Sequence, residues 1–380
     1  MKMLWGSLIL ALAYLLLWPV PIDPVSWQAP KNGGFTNAFT ENSRLAELSY
    51  IDIEGEEGPE DFAINKAGTI ATATHSGAVL LMKQGQTSFT SWINTNGRPL
   101  GLEYDNKGNL LIADAHRGVL IANAKGELKT LVNQVENTPV VYADDVDIAK
   151  NGKVYFTDAT TKFAAKDHGG TLSASLLEIL EHKGNGRLIE YDPLTASSKV
   201  LIDGLVFANG VTVSHDQDSV LFNETGKYRV LRYWLKGPQQ GRVDVVIDNL
   251  PGFPDNISQA AGGGYYLGLA SPRSAPVDGL SDKPFVRKII QRLPQFLRPQ
   301  GEPYGHLLKI SDSGKVLKSL QDPSGAYPFV TGAVETEYGL FISSLIAPTV
   351  GVLPHDKTRS LTNVTNMGVM LTVEINSGNN

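Results

Sequence analysis

From residue 46 onward, apolar and polar residues alternate over short segments that are separated by turns rich in Gly, Asp and Asn. Alternation with a period of two predicts half-buried β-strands, and the period of a long amphipathic helix does not appear. The recurring unit is a strand, a tight turn and a second strand rich in Ile, Leu, Val or Tyr. Copies of this unit begin at residues 61, 101, 145, 210, 256 and 332.

Six such copies, spaced about 40–46 residues apart where nothing is inserted, predict an all-β fold, a six-bladed β-propeller over residues 46–380. Segments such as 188–192 and 199–203 supply the third and fourth strands of a blade. A β-sandwich or two β-domains is the alternative, but six copies in phase favour the ring. Because ring closure removes exposed sheet edges, either residues 45–53 or residues 369–375 should complete the sixth blade.

Two insertions interrupt the repeat, at residues 159–186 and 272–304, each between the second and third strands of a blade. In a propeller the first strand of each blade lines the central channel, and the loops after the second strands return to the mouth where the first strands begin. We therefore expect two helical insertions over the channel mouth. Residues 284–298 are amphipathic and basic, which suits a lid over an apolar substrate, contact with an anionic membrane surface, or an ordinary packed helix.

The N-terminus has a different pattern, a nearly unbroken apolar run from Met3 to Trp18 preceded by Lys2. Its length and the lack of a small-residue cleavage site favour an uncleaved transmembrane anchor over residues 1–20, with a cleaved signal peptide as the alternative. Lys2 places the N-terminus in the cytoplasm, which predicts a single-pass membrane protein with its propeller on the extracytoplasmic (periplasmic or lumenal) side. Residues 21–45, rich in Pro, Asn and Gly, are predicted to be a tether.

Composition narrows the possible partners. The 380 residues include 33 Lys and Arg against 39 Asp and Glu, a net charge of −6, which argues against nucleic acid as a partner. The chain has no Cys, so disulfides, thiolate metal sites and a Cys nucleophile are excluded.

The residue pairs at the starts of the six first strands occupy equivalent positions and should converge on the channel axis. Four of these positions carry an oxygen ligand: Glu60, Asp144, Asn209 and Asp255. Carboxylate and amide oxygens without His or Cys suit a hard cation, and Ca²⁺ tolerates irregular oxygen shells better than Mg²⁺ does. We therefore predict one axial Ca²⁺. The alternative is that Asp, Asn and Gly merely suit turns, although Glu60 is a poor turn residue.

Two histidines, His75 and His116, occupy matching loops after the second strands of blades one and two, at the same mouth. A His beside a cation-bound water or carbonyl can act as a general base, so His75, His116, Asp144 and Asp255 are the candidate catalytic residues. The alternative for each His is a partly exposed loop residue without a catalytic role.

Several segments then resemble the strictosidine synthase-like family, whose branches include membrane-anchored adipocyte proteins. They are residues 97–120, 143–163, 186–193, 207–237 and 251–257. The wider superfamily is similar to calcium-dependent six-bladed hydrolases, namely gluconolactonases, paraoxonases and diisopropylfluorophosphatase-type enzymes. The resemblance implies an axial ligand set that matches Glu60, Asp144, Asn209 and Asp255 here.

Three departures from the family pattern bear on function. Asp144 replaces the usual Asn, and this extra charge should hold the cation more tightly but weaken its pull on a substrate carbonyl. Leu100 stands where paraoxonases carry a His. Thr331 stands where strictosidine synthase has its catalytic Glu, although Glu335 and Glu337 lie nearby.

The main hypothesis is a membrane-anchored, Ca²⁺-dependent hydrolase of lactones or of aryl and alkyl esters, with an apolar small-molecule substrate. A second is a non-enzymatic, calcium-stabilised propeller that binds a ligand or partner. A third is a carbon–nitrogen lyase or condensing enzyme like strictosidine synthase, which Thr331 disfavours.

Overall fold

The computed structural model describes residues 2–354 and contains six four-stranded antiparallel sheets arranged as the blades of a propeller. The chain starts with helix α1 (Lys2–Leu17) and strand β1 (Ser49–Asp52). The first two blades follow directly, with one short connection after each strand. Blade one is β2 (Phe62–Ile64), β3 (Ile70–Ala73), β4 (Ala78–Met82) and β5 (Thr90–Asn94), and blade two is β6 (Pro99–Tyr104), β7 (Leu110–Asp114), β8 (Gly118–Ala122) and β9 (Leu128–Val132).

A two-stranded ribbon, β10 (Gln134–Val135) and β11 (Thr138–Pro139), leads into the third blade. The remaining blades are listed in chain order. Blade three is β12 (Ala143–Ile148), β13 (Val154–Asp158), β14 (Gly186–Asp192) and β15 (Ser197–Leu205); blade four is β16 (Ala208–Val213), β17 (Ser219–Glu224), β18 (Arg229–Trp234) and β19 (Val243–Ile247); blade five is β20 (Gly252–Gln259), β21 (Tyr265–Pro272), β22 (Gly305–Ile310) and β23 (Val316–Asp322); blade six is β24 (Val330–Thr336), β25 (Gly339–Ser344), β26 (Thr349–Leu353) and β1.

The ring closes as a propeller requires. Each innermost strand contacts the innermost strands of both neighbouring blades, in the order β2, β6, β12, β16, β20, β24 and back to β2. Strand β1 pairs antiparallel with β26, from Ser49 opposite Val352 to Asp52 opposite Thr349. The six-bladed prediction is therefore confirmed, and of the two candidate closing segments the N-terminal one pairs with the sixth blade. The other candidate, residues 369–375, lies outside the described residues.

The core lies in the layers between adjacent blades, because each sheet buries both faces. Between blades two and three, Leu111 and Val119 pack in one cluster with Val146, Phe156 and Ile189. All five are buried. This explains why the second strands are nearly continuous apolar runs rather than alternating ones.

Glycine is required where the innermost strands crowd together at the axis. A Cβ atom on Gly210 of β16 would lie 2.5 Å from the Asp255 carbonyl oxygen and 2.6 Å from Cα of Asn256, both backbone atoms of β20. No side chain fits there without moving a strand. The glycine that follows the candidate site residue Asn209 is thus set by packing.

The insertions form helices where the repeat pattern predicted them. Helix α2 (Thr171–Glu181) lies between β13 and β14, and α3 (Ala275–Gly279) and α4 (Pro284–Gln291) lie between β21 and β22. Helices α2 and α4 contact each other. They belong to different blades but form one cap.

The segment predicted to be a tether packs on this cap and on the blades beneath it. Ile22 is buried in a cluster that includes residues of α2. Trp27 stacks on His182, with ring centroids 3.8 Å apart, and Phe35 stacks on Tyr304 at 5.0 Å. Residues 20–35 are therefore a packed strap across the face of the propeller.

The basic side chains of α4 bind this strap and the cap. Arg287 is only 1% exposed and donates to the carbonyls of Leu180 and Val25. Lys288 forms an ion pair with Asp23 at 2.9 Å. These charges are used within the protein, which corresponds to the packed-helix alternative for this stretch.

Helix α1 covers 16 residues, and most of its apolar side chains are exposed. Among residues 2–354, no helix combines the length and the apolar character needed to cross a bilayer.

Candidate functional site

The same irregularity occurs at the start of five innermost strands. In each, the pairing with the second strand shifts and leaves two residues unpaired, as a β-bulge does. The unpaired residues are 100–101, 144–145, 209–210, 255–256 and 331–332. In blade one the equivalent pair, Glu60 and Asp61, directly precedes β2. The positions that the sequence aligned by repeat are therefore bulges, which turn side chains out of the sheet toward the mouth.

A cavity of about 500 Å³ opens at this mouth. All six predicted site residues line it: Glu60, His75, His116, Asp144, Asn209 and Asp255. The four predicted ligands are buried. The structure thus brings together residues from five blades that are far apart in sequence.

The walls of the cavity are apolar and come largely from the cap. Helix α2 contributes Leu172, Leu176 and Ile179, and α3 contributes Val277. Leu345, in the loop after β25 of blade six, also lines the cavity. The cavity is therefore an apolar chamber with a charged floor, which consists of Glu60, Asp144 and Asp255. This arrangement suits an apolar molecule with one polar reacting group.

Burial shifts the protonation of the floor carboxylates. Desolvation raises the pKa of Glu60 to about 7, against the opposing effects of Arg98 and an Asn256 hydrogen bond. The pKa values of Asp144 and Asp255 are raised well above the usual range by desolvation and by the charge of Glu60. Three such groups are ionised together only when positive charge is nearby.

Unpartnered oxygens mark where that charge would bind. Among residues 2–354, Oε2 of Glu60 and the Oδ1 atoms of Asn209 and Asn256 are buried and have no hydrogen-bond partner. The amide of Asn256 donates to Oε1 of Glu60 at 3.2 Å, and the Asn209 side chain hydrogen-bonds to Asp255. One free carboxylate oxygen and two free amide oxygens fit a hard cation such as Ca²⁺.

Carboxylates alone do not form this site. Within the part of the chain that the structure describes, no three His, Cys, Asp or Glu side chains form a group that would hold a metal ion. The amide oxygens of Asn209 and Asn256 are further ligands that a cation on this floor could use. Sequence reasoning had passed over one of them, Asn256, because it is the second residue of its bulge.

The two histidines lie at the rim. The ring of His75 donates to the carbonyl of Leu345, and burial and Arg98 lower its pKa. Burial is also the main cause of the lowered pKa of His116, whose buried Nε2 has no partner in the described part of the chain. Both imidazoles are therefore neutral near pH 7 and able to accept a proton.

Thr331 contributes no acidic or basic group to the cavity. Its hydroxyl donates to the carbonyl of Glu60 at 2.6 Å and contacts that of Ser343. Glu335 accepts hydrogen bonds from the Tyr266 hydroxyl and a backbone amide, away from the cavity lining.

Sequence reasoning missed Arg98 and Tyr142, which are both buried and both line the cavity. Each lies two residues before a bulge, and the equivalent residues of the next three blades also line the cavity: Phe207, Phe253 and Phe329. A search of the repeats two positions upstream of the candidate ligands would have found this ring.

Comparison with known proteins places the chain. Residues 144–238 match the family model for strictosidine synthase, and residues 37–82 match the model for the N-terminal part of strictosidine synthase-like proteins. The adipocyte plasma membrane-associated protein of Rattus norvegicus is 32% identical over 360 residues, which cover 89% of this chain and 94% of that protein.

Two solved structures share the fold. A gluconolactonase from Xanthomonas campestris superposes with a TM-score of 0.60 at 15% identity, covering 89% of this chain and 99% of that one. The calcium-binding protein regucalcin from Agrobacterium tumefaciens superposes with a TM-score of 0.55 at 13% identity, covering 81% and 94%. At these identities the likeness shows the propeller fold alone.

Proposed function

Because this chain belongs to the strictosidine synthase-like family, together with the adipocyte plasma membrane-associated proteins, we propose that it is a membrane-anchored, calcium-dependent hydrolase of lactones or of aryl and alkyl esters. The observation that carries the proposal is a floor of buried carboxylates and unpartnered amide oxygens beside two neutral imidazoles, under an apolar cap. The two solved structures that share the fold are a gluconolactonase and a calcium-binding protein, so the proposed activity and cation both occur on this fold.

Glu60, Asp144, Asn209 and Asp255 would hold one axial Ca²⁺, with Asn256 fixing the orientation of Glu60. A bound Ca²⁺ would polarise the substrate carbonyl and stabilise the negative charge that develops on its oxygen.

The other steps belong to the chain itself. The apolar walls bind the acyl or aryl part of the substrate and exclude bulk water. A neutral His75 or His116, or one of the aspartates Asp144 and Asp255, accepts the proton of the attacking water and returns it to the leaving oxygen. His75 is the better placed of the two histidines, because its hydrogen bond to Leu345 fixes the ring.

The proposal of membrane anchoring rests on the exposed apolar side chains of α1 and on the likeness, at 32% identity, to an adipocyte plasma membrane-associated protein. The single positive residue before the apolar run, Lys2, supports a propeller on the extracytoplasmic side. Alkaline carbonate extraction of membranes and protease accessibility of the propeller in sealed vesicles test both parts.

The test of activity uses full-length protein in lipid nanodiscs, assayed with neutral p-nitrophenyl esters and with lactones over a Ca²⁺ titration. We expect Ca²⁺-dependent turnover, and a loss of about 10²–10³-fold in kcat for Glu60→Gln, the scale for removing a group that supports carbonyl polarisation. Glu337→Gln is the matched control, since Glu337 is exposed and outside the cavity. Equal Ca²⁺-independent rates in all three proteins would overturn the proposal.

A second candidate is a non-enzymatic binding module. One observation favours it: three phenylalanine side chains, from three different blades, line the cavity and suit retention of an apolar ligand. It predicts that chelation lowers the melting temperature while no ester or lactone in the panel is turned over.

A further inference from the structure

The ring of residues two positions before the bulges has one charged member. Its members are Arg98, Tyr142, Phe207, Phe253 and Phe329. The aromatic members form an apolar collar, whereas Arg98 places a permanent positive charge at the same level. Burying a guanidinium in an otherwise apolar collar is costly unless it meets a negative group.

Arg98 has unused binding capacity. It is 6% exposed, and its Nη1 donates a hydrogen bond to the carbonyl of the next residue, Pro99, at 2.8 Å. Within residues 2–354 it has no carboxylate within the 4.0 Å of an ion pair. Arg98 also lines the cavity, so the guanidinium donors that Pro99 does not use are available to a ligand there.

Tyr142 supplies a second donor beside it. Tyr142 is buried, lines the cavity and lies close enough to Arg98 to interact with it electrostatically. Its ring is held edge-to-face against Phe207, with the ring centroids 5.5 Å apart. A guanidinium and a phenol at one point form a binding site for a carboxylate.

The charge balance of the floor permits such a ligand. When ionised, Glu60, Asp144 and Asp255 together carry more negative charge than the single positive charge of Arg98 offsets. One Ca²⁺ would balance the negative charge that is left. With the cation in place the floor is neutral overall, so an acidic ligand group meets no net repulsion there.

We propose that Arg98 and Tyr142 bind a carboxylate of the substrate, so that the physiological ester or lactone is an amphiphile with an apolar chain and one acidic group. This inference rests on the proposed function for the reaction, but the recognition itself is measurable without turnover.

The binding test uses full-length protein in nanodiscs with dansyl-undecanoic acid and its methyl ester as probes, after subtraction of the signal from empty nanodiscs. We expect wild type to bind the acid at least tenfold more tightly than the ester. Arg98→Met should weaken binding of the acid far more than binding of the ester and so remove this preference, Arg98→Lys should keep part of it, and Tyr142→Phe should reduce it about threefold. Equal wild-type affinities for the two probes would overturn the inference.

A purely structural role for Arg98 gives a different result. In that case Arg98→Met weakens both probes in parallel and lowers the melting temperature, whereas recognition predicts a selective loss. If Arg98→Met does not fold, the wild-type comparison and Arg98→Lys still decide the question.

The kinetic arm compares the p-nitrophenyl monoester of a dicarboxylic acid with the p-nitrophenyl ester of a monocarboxylic acid of equal chain length. A higher kcat/KM for the acidic ester that disappears in Arg98→Met supports the inference. If wild type hydrolyses neither ester but still prefers the acidic probe, the hydrolase proposal fails and the recognition site stands. If wild type hydrolyses the two esters equally and binds the two probes equally, the hydrolase proposal stands and the recognition site fails.

Discussion

Replacing Gly210 by Ala tests the idea that strand crowding at the axis positions the site. A Cβ atom there would approach three backbone atoms of β20 at 2.5–2.6 Å. Ordinary contacts to Cβ begin near 3.4 Å, so one strand must move by roughly 0.8 Å. Backbone atoms cannot rotate away as a side chain does, so the movement involves the whole bulge. Overpacking of this kind costs about 1–3 kcal/mol or somewhat more.

The displaced atoms include the carbonyl of Asp255 and Cα of Asn256, so the same change should reach the cation site. We expect Gly210→Ala to lower the melting temperature by roughly 2–12 °C, given about 2–4 °C per kcal/mol in a domain of this size or slightly smaller. We also expect the Ca²⁺ concentration for half-maximal stabilisation to rise severalfold. Scanning calorimetry with and without Ca²⁺ measures both effects.

Gly279→Ala is the control, because a Cβ atom at Gly279 would meet nothing within 4 Å and its φ is not positive. Ala there should be neutral or stabilise by about 0.4–1 kcal/mol, through the unfolded state. If the two variants melt within 1 °C of each other and bind Ca²⁺ equally, strand crowding does not position the ligands and the explanation is wrong.

Three further changes follow from the site and its cap. Burial and Arg98 lower the pKa of His75 below its usual 6.5, so the imidazole stays neutral as pH falls through 6.5 and the acid limb of the pH profile of kcat/KM should lie below that value. Arg98→Met should move this acid limb to higher pH. An acid limb that persists in His75→Gln would exclude His75 as the general base. Asp144→Asn should weaken Ca²⁺ binding about tenfold and raise kcat at saturating Ca²⁺; unchanged Ca²⁺ dependence would contradict the role of Asp144 as a ligand. Arg287→Met should destabilise the cap by about 2–4 kcal/mol and speed backbone hydrogen exchange in residues 20–30. Lys283→Met is the control, because Lys283 is exposed. Equal exchange rates in both variants would show that Arg287 does not hold the strap.

The repeat made the fold and the site floor predictable. Strand alternation and glycine turns recur in each blade, so counting the copies was enough to predict six blades and the place of both insertions. The same alignment placed Glu60, Asp144, Asn209 and Asp255 at one mouth, because equivalent positions in a closed ring share one geometry.

What the repeat did not show depends on contacts between distant residues. The strap has the Pro-, Asn- and Gly-rich composition of a linker, yet Trp27 and Phe35 find partners on the cap and on blade five. Local composition carries no information about such a surface. Arg98 was missed for another reason. The equivalent position carries a different type of side chain in different blades, so the repeat does not mark it in the way that it marks the oxygen ligands.

The cap connects the cavity to the N-terminal helix. Arg292, just after α4, donates to the carbonyls of Leu15 and Trp18, and Arg287 donates to that of Leu180 at the end of α2. Helix α2 forms a wall of the cavity. The end of α1 is therefore joined to the cap over the site by charge-assisted hydrogen bonds to backbone oxygens, which are stronger than hydrogen bonds between neutral groups. In the membrane-anchored enzyme that we propose, this connection fixes the cavity mouth on the side of the bilayer. An amphiphile with an acidic head would then reach the floor without leaving the membrane surface.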